Sequence, residues 1–332
     1  MRRMRNHRYS VHIRAFMLFM CLVFFTGMRG EAFSQTASSP LPAVAVNYLY
    51  GFDAKLSGSV LKWVDQIYMD ERHGEIFLLD KDNGRIVVMD MDGIYQYHFN
   101  YLLSGVKAPR SLAVDAGGDI YVAEMDRIAV LDYRGDFKKE LKISGVPDAD
   151  KMAIRSIALY KSREGARIYV GDITSQRIIV LTLDGKFVSQ YGQDVIKGTN
   201  FAGLTVSDGG ITFLDSSIYT VFRYGHDGTL IAKWGGLSSL FGGFSMPSAL
   251  AVDEKNGRVI VADTNRMMVI AFDMTGKPLF EFGGPSIFSW PRAVAVDGAG
   301  RIYVADATGV IKVFEGVLEK MDSTEPQISP LP

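Results

Sequence analysis

Six acids recur along this chain at near-equal intervals: Asp80, Glu124, Asp172, Asp215, Asp263 and Asp306. Carboxylates in that arrangement have two chemical uses. Converging on one axis, they would hold a divalent cation that polarises a carbonyl or activates water, and Asp80, Asp172, Asp263 and Asp306 are the candidates for such a metal set. Serving each repeat alike, they would accept backbone N–H groups of their own loops and pair with nearby Arg side chains. The second use is the better expectation, because a catalytic set breaks the symmetry of its scaffold and these acids keep it. Asp80-Lys81-Asp82-Asn83-Gly84 opens like a calcium loop, yet Met91 stands where the bidentate Glu belongs. Arg110, Arg155 and Arg292 occupy one equivalent position in three repeats, which suits a charged ring facing a polar ligand. Large apolar residues fall between the strand-like segments, at Trp63, Leu102, Leu103, Phe201, Phe241, Phe244, Phe288 and Trp290. In loops they either mark a binding face or plug gaps in the packing. No G-x-S-x-G elbow, phosphate-binding loop or dinucleotide fingerprint occurs in a suitable context.

The elements that must position these residues follow from a repeat. An alternating apolar segment recurs six times, centred on Ile67, Leu112, Ile157, Leu204, Leu250 and Val294, at spacings of 45, 45, 47, 46 and 44 residues. About ten residues later a second apolar segment ends in the acid. A third segment follows (Arg85 to Val88, Arg127 to Val130, Arg177 to Val180), then a turn with Gly at 93, 135, 185, 228, 276 and 316, then a fourth segment rich in aromatic residues. The segments are short, rich in Val, Ile, Tyr and Phe, and bounded by Gly-containing clusters that supply positive φ for tight turns, so they read as strands. Four strands in about 45 residues is the pattern of a propeller blade. The expectation is therefore an all-β chain, a six-bladed β-propeller of four-stranded antiparallel blades. Ala113, Ala158, Ala251 and Ala295 in the first segment suit an innermost strand squeezed near the axis, and Tyr68 departs from that pattern.

After the third strand of the sixth repeat the chain turns polar and Pro-rich, so that blade lacks its outer strand. Val46 to Gly51 resembles the fourth strand Leu279 to Gly283, and the N-terminal segment is expected to close the ring. The loops from strand two to strand three and those from blade to blade then share one face. That face carries the acids, the three Arg and the loop aromatics.

Residues 1–14 carry five Arg and no acid, Ala15 to Gly27 is an uninterrupted apolar run, and Ala32-Phe33-Ser34 places small residues for signal peptidase. The run is too short to cross a bilayer core of about 20 residues, so residues 1–34 are expected to be a signal peptide and the protein exported, to the periplasm or beyond. The remaining organisation is a linker at 35–43, the propeller at 44–316 and a flexible C-terminal tail at 317–332. Cys21 lies inside the apolar run after Met20, which argues against a lipoprotein site. The whole chain has 36 Lys and Arg against 37 Asp and Glu. Removing residues 1–34 takes six Arg and one Glu, leaving 30 basic and 36 acidic residues, a net charge of −6. Such a chain is a poor partner for a phosphate backbone, so no nucleic acid is expected. It would also have no Cys, which excludes thiol chemistry and disulfides.

Pro109-Arg110-Ser111-Leu112-Ala113-Val114-Asp115, followed by Ile120-Tyr121-Val122-Ala123-Glu124, resembles the NHL repeat, most clearly in the fifth and sixth copies and least in the fourth. The resemblance covers residues 46–316. It implies the six-bladed architecture and leaves activity open, since such propellers include protein-binding, RNA-binding and catalytic members. The expected function is a monomeric, non-enzymatic module without a cofactor that docks a protein or peptide of the cell envelope through Trp63, Phe201, Phe244 and Trp290, oriented by Arg110, Arg155 and Arg292. The alternative is a hydrolase similar to the six-bladed lactonases, with a metal at the channel mouth held by the four Asp named above. A purely architectural spacer is a third possibility.

Overall fold

The computed structural model describes residues 44–55, 58–162, 164–193, 196–198 and 200–318. The predicted signal peptide, the linker and the tail from 319 onward lie outside these residues. Twenty-four strands form six separate four-stranded antiparallel sheets. The first blade holds β2 (Val64–Asp70), β3 (Glu75–Asp80), β4 (Arg85–Asp90) and β5 (Tyr95–Asn100). The second holds β6 (Ser111–Val114), β7 (Ile120–Ala123), β8 (Ile128–Leu131) and β9 (Phe137–Glu140). The third is β10 (Ile154–Ser162), β11 (Gly165–Asp172), β12 (Arg177–Thr182) and β13 (Phe187–Tyr191). The fourth is β14 (Phe201–Ser207), β15 (Gly210–Asp215), β16 (Thr220–Tyr224) and β17 (Leu230–Gly235). The fifth is β18 (Pro247–Asp253), β19 (Arg258–Asp263), β20 (Met268–Asp273) and β21 (Pro278–Gly283).

The sixth blade is completed from the other end of the chain. Its strands β22 (Pro291–Val296), β23 (Arg301–Asp306) and β24 (Ile311–Leu318) are joined by β1 (Val44–Phe52), which pairs with β24 from Val44↔Leu318 to Phe52↔Ile311. Two details of the sequence reading change. Gly316 is no turn residue: it lies inside β24 opposite Val46, and the fold runs on to Leu318.

The core lies between blades, not at one centre. Each neighbouring pair of sheets encloses its own cluster of buried apolar side chains; Leu78, Val87 and Met89 of the first blade meet Ala293, Tyr303 and Val313 of the sixth. Sheets can approach this closely at the axis because Ala113, Ala158, Ala251 and Ala295 of the inner strands are small and buried. Tyr68 has a partner of its own: its hydroxyl donates to Val114 O of the next blade at 3.1 Å, and burial, outweighing a partial offset from that bond, pushes its pKa up to about 12. Gln66 and Ser111 play a similar part. Gln66 donates to Leu112 O (3.0 Å) and accepts from Leu112 N (2.7 Å), and Ser111 Oγ accepts from Ile157 N (3.2 Å). These side chains satisfy inner-strand backbone groups that no fifth strand pairs.

The outer rim is locked by a repeating aromatic contact. In the first, second, fourth and fifth blades the hairpin from third to fourth strand turns at a glycine with positive φ whose missing Cβ leaves room for an aromatic ring of the preceding blade, while in the third Gly185 faces Lys142 O and Leu141. A Cβ at Gly135 (φ 88°) would lie 2.3 Å from the Phe99 ring, at Gly93 2.4 Å from Phe52, at Gly228 2.4 Å from Tyr191 and at Gly276 2.5 Å from Trp234. Gly135→Ala therefore meets both left-handed strain and a ring, whereas Gly74→Ala (φ 71°) meets strain in open space. Urea denaturation is expected to show a loss of about 2–4 kcal/mol for Gly135→Ala and about 1 kcal/mol for Gly74→Ala; equal losses would show that the ring contact contributes nothing.

Candidate functional site

Every second strand ends opposite the first residue of its inner strand, as in Asp80↔Val64, Asp172↔Ile154 and Asp263↔Pro247. This register brings the terminal acid under the incoming connection from the previous blade. Asp80 accepts Lys62 N–H at 3.1 Å, Asp172 accepts Ala153 N–H at 3.0 Å, Asp263 accepts Ser245 N–H at 2.6 Å and Asp306 accepts Trp290 N–H at 3.0 Å. Glu124 accepts the N–H groups of Lys107 (2.7 Å) and Ala108 (2.9 Å).

The residue opening the third strand, or just before it, completes the arrangement. Arg85 pairs with Asp80 (2.8 Å) and Arg177 with Asp172 (2.9 Å), all four side chains being buried. Guanidiniums at this position reach the connection's carbonyls, Arg85 to Ser59 O (2.9 Å), Arg177 to Pro147 O (2.8 Å), Arg127, which pairs with Glu124, to Gly105 O (2.6 Å), and Arg266, which pairs with Glu281 and not with Asp263, to Gly243 O (2.6 Å). In the sixth blade Lys312 does this work, pairing with Asp306 (2.8 Å) and donating to Ile287 O. Acid and base thus grip both polarities of one loop. The oxygens proposed for a metal at Asp80, Asp172, Asp263 and Asp306 already accept protein donors, and these residues are fasteners of the connections. No group of three or more metal-ligating side chains lies together among the described residues.

The loop aromatics separate into two kinds. Phe201 (1% exposed) and Phe244 (0%) are sealed between blades, and so is Phe288. Phe201 packs on Phe213 with ring centroids 5.1 Å apart and Phe244 on Phe272 at 5.6 Å. They offer nothing to a partner, which corrects their assignment as docking residues. The glycines that make room for them were the missed signal: Cβ atoms on Gly171, Gly235 and Gly283 would strike Phe201, Phe244 and Phe288. Trp290, 53% exposed, remains on the surface, and half-buried Trp63 lies beneath Arg292, whose guanidinium carbon is 3.6 Å from the indole centroid. Leu102, Leu103, Leu237, Leu240, Phe241, Met246 and Ile287 are exposed in the connections as well.

At the centre, the second position of the inner strand is bulged. Pairing skips from Val64 to Gln66, from Ile154 to Ser156, from Phe201 to Gly203, from Pro247 to Ala249 and from Pro291 to Ala293. A bulge re-aims the extra side chain. Five of the residues at this position, Asp65, Arg110, Arg155, Ala202, Ser248 and Arg292, are thereby freed from the ladder, and Arg110 just precedes β6; all six line a channel cavity of about 310 Å³. The structure thus brings the three predicted Arg together and adds Asp65, which the sequence reading missed.

The architecture is that of a six-bladed propeller carrying an NHL repeat. The family model for the NHL repeat matches residues 244–272, which span the end of the connection into the fifth blade and most of that blade. No curated protein matches the chain in sequence. Among solved structures it is similar to one titled "Streptogramin B lyase structure", with 16% identity, a TM-score of 0.53, and coverage of 82% of this chain and 98% of that one. So distant a likeness shows the fold.

The fasteners carry a pH dependence. Burial opposes the charge on Glu124, but the N–H groups of Ala108 and Lys107 and the Arg127 guanidinium outweigh it, and its pKa lies below the ordinary 4.5. Asp306 is likewise held below the ordinary 3.8: burial opposes its charge, and Lys312 with the N–H groups of Trp290 and Ser289 outweighs it. A depressed carboxyl stabilises the fold above its unfolded pKa, and that contribution is lost as pH falls through the folded one. Unfolding free energy is expected to hold above about pH 5 and to fall steadily below about pH 4. In Glu124→Gln the acid slope should be shallower, measured by denaturation at stepped pH; a slope identical to the parent's would remove Glu124 from the account.

Proposed function

We propose that the chain is an exported, non-enzymatic recognition module that docks a protein or peptide of the cell envelope on the face built by its blade-to-blade connections. One observation carries this reading: that face exposes large apolar side chains used by neither strand nor core, with Leu103 at 89%, Leu240 at 75% and Trp290 at 53% exposure. Exposed apolar and aromatic residues raised on rigid loops supply the anchors of interfaces. The buried acid fasteners hold these loops in place, so little ordering cost would fall on association. Propellers with this repeat include protein-binding members, which supports the reading at the level of fold alone. The residues offered are Trp290, Leu103, Leu240 and Phe241, with Trp63 at the channel edge, in place of the sealed Phe201 and Phe244. The lactonase-like alternative is not favoured, because all four of its Asp already accept backbone N–H groups and Asp80, Asp172 and Asp306 also hold a base. A single chain is expected to be the binding unit.

Export rests on residues 1–34: the Arg-rich start, the apolar run and the small residues before Gln35. No helix among the described residues is long and apolar enough to cross a membrane. Protein recovered from the envelope or medium of expressing cells is expected to begin at Gln35 by N-terminal mass spectrometry, and a retained N-terminal segment would contradict cleavage. Crosslinked capture of an envelope partner should fall about tenfold or more in Leu103→Asp, Leu240→Asp and Trp290→Ala, each folded as judged by its melting temperature. Undiminished capture by all three would move the docking face elsewhere.

A further inference from the structure

Three of the four buried arginines among the described residues are matched to acids, Arg85 with Asp80, Arg177 with Asp172 and Arg258 with Asp253, and the fourth, Arg223, donates to the carbonyls of Met274 (2.8 Å) and Gly209 (2.9 Å). The channel mouth departs from that habit. Three guanidiniums converge there with one carboxylate among them, Asp65. Both oxygens of Asp65 are engaged, one by Arg292 Nη2 and the other by Lys81 Nζ, each at 3.0 Å. Arg155 donates its Nε to Asn200 Oδ1 (3.0 Å) and Nη1 to Arg110 O (3.4 Å), both neutral acceptors. Among the described residues Arg110 reaches only the weak acceptor Met125 Sδ, at 3.4 Å. Among the described residues, the buried Nε atoms of Arg110 and Arg292 have no partner at all.

Like charges gathered out of water are costly unless something of opposite sign joins them. Burial first, then Arg110 and Arg292 against a partial offset from Asp65, lowers the pKa of Arg155. A fixed set of planar N–H forks facing open space has one chemical complement, the oxygens of a planar or tetrahedral oxyanion. Three guanidiniums against one carboxylate leave two positive charges, enough for a dianion. We propose that the channel mouth binds an oxyanion, a carboxylate or phosphate group, between the guanidiniums of Arg110, Arg155 and Arg292. This names the group that the docking face takes, and it rests on the docking reading to the extent that the anion belongs to a docked chain. The anion's source is either a free small molecule or the terminus of a peptide entering the channel.

The test is calorimetric titration of the full propeller in chloride-free, low-salt buffer with inorganic phosphate, succinate, trialanine and trialanine amide, with Trp63 fluorescence as a second readout because its indole lies against Arg292. Saturable binding of at least one of the first three is expected, none by the amide, and a tenfold or greater loss in both Arg110→Gln and Arg155→Gln. Phosphate or succinate alone would identify a free anion; trialanine alone would identify a peptide terminus. Arg134→Gln, an exposed arginine stacked on Tyr133 in the hairpin of the second blade, should bind as the parent does. Should Arg110→Gln melt early, Arg110→Lys keeps the charge without the fork and must still bind more weakly. Failure of all probes with the parent, or binding unchanged in either Arg variant, would overturn the site. Loss of partner capture in Leu240→Asp alongside intact anion binding would leave this site standing by itself, so the two readings fail separately.

Discussion

Six connections carry the chain from the outer strand of one blade to the inner strand of the next, and a buried carboxylate grips those into the first, second, third, fifth and sixth. Such a segment has no ladder of its own, so its N–H and C=O groups must find partners elsewhere or stay wet. The acid at the end of the second strand accepts the N–H groups, and in most blades a base donates to the carbonyls. Neither half is stable alone: a carboxylate as buried as Asp172 without Arg177 would be an uncompensated charge, whose cost is several kcal/mol. The pair therefore earns its burial only by holding the loop. Once it does, the height at which each inner strand starts is fixed, and with it the bulge that turns the second residue toward the axis.

Because the fastener is common to nearly all blades, it carries no information about function. Information enters where the repeat departs from itself. At the bulged position the sequence reads Asp65, Arg110, Arg155, Ala202, Ser248 and Arg292 around the ring, an arrangement without symmetry on a scaffold that has it. The fourth blade shows the same departure in its fastener. Thr220 stands where other blades place a base, and Asp215 accepts from Ser217 instead. The connection into that blade supplies Asn200, whose side-chain amide donates to Ser216 Oγ at 2.8 Å while its Oδ1 accepts from Arg155 Nε. The weakest copy of the repeat is thus the one whose connection orients a channel arginine.

The scaffold was legible because its signals are periodic. Apolar alternation, turn glycines and the acid recurred together, so strands, blade number and the closing partner of β24 could be read from spacing. The structural use of the acids followed from their repetition. Burial of loop aromatics was not legible in the same way: Phe244 and Trp290 look alike in sequence, and only the cavity opened by Gly235 in a neighbouring strand tells the sealed one from the exposed one. Gly316 misled for the opposite reason, since a glycine at the expected spacing belongs to a strand made long by its pairing with β1. Asp65 was hidden because its meaning depends on Arg292, 227 residues away in sequence and adjacent only once the ring is closed.

In the proposed docking, the two chemistries on one face divide the work of recognition. Apolar anchors such as Leu240 and Trp290 stand in loops at the rim and gain free energy in proportion to the area they lose to a partner, with little regard for its identity. Guanidiniums at the axis act the other way: a neutral or cationic group placed among them would leave buried donors unmatched, and that penalty discriminates more than any gain in area. A ligand that satisfies both must present apolar surface to the rim and an anionic group to the axis. Ring closure enforces the combination, because β1 completes the sixth blade from its outer edge, separated by two strands from the inner β22 that carries Arg292, and so helps hold the first blade's Trp63 and Asp65 against that arginine.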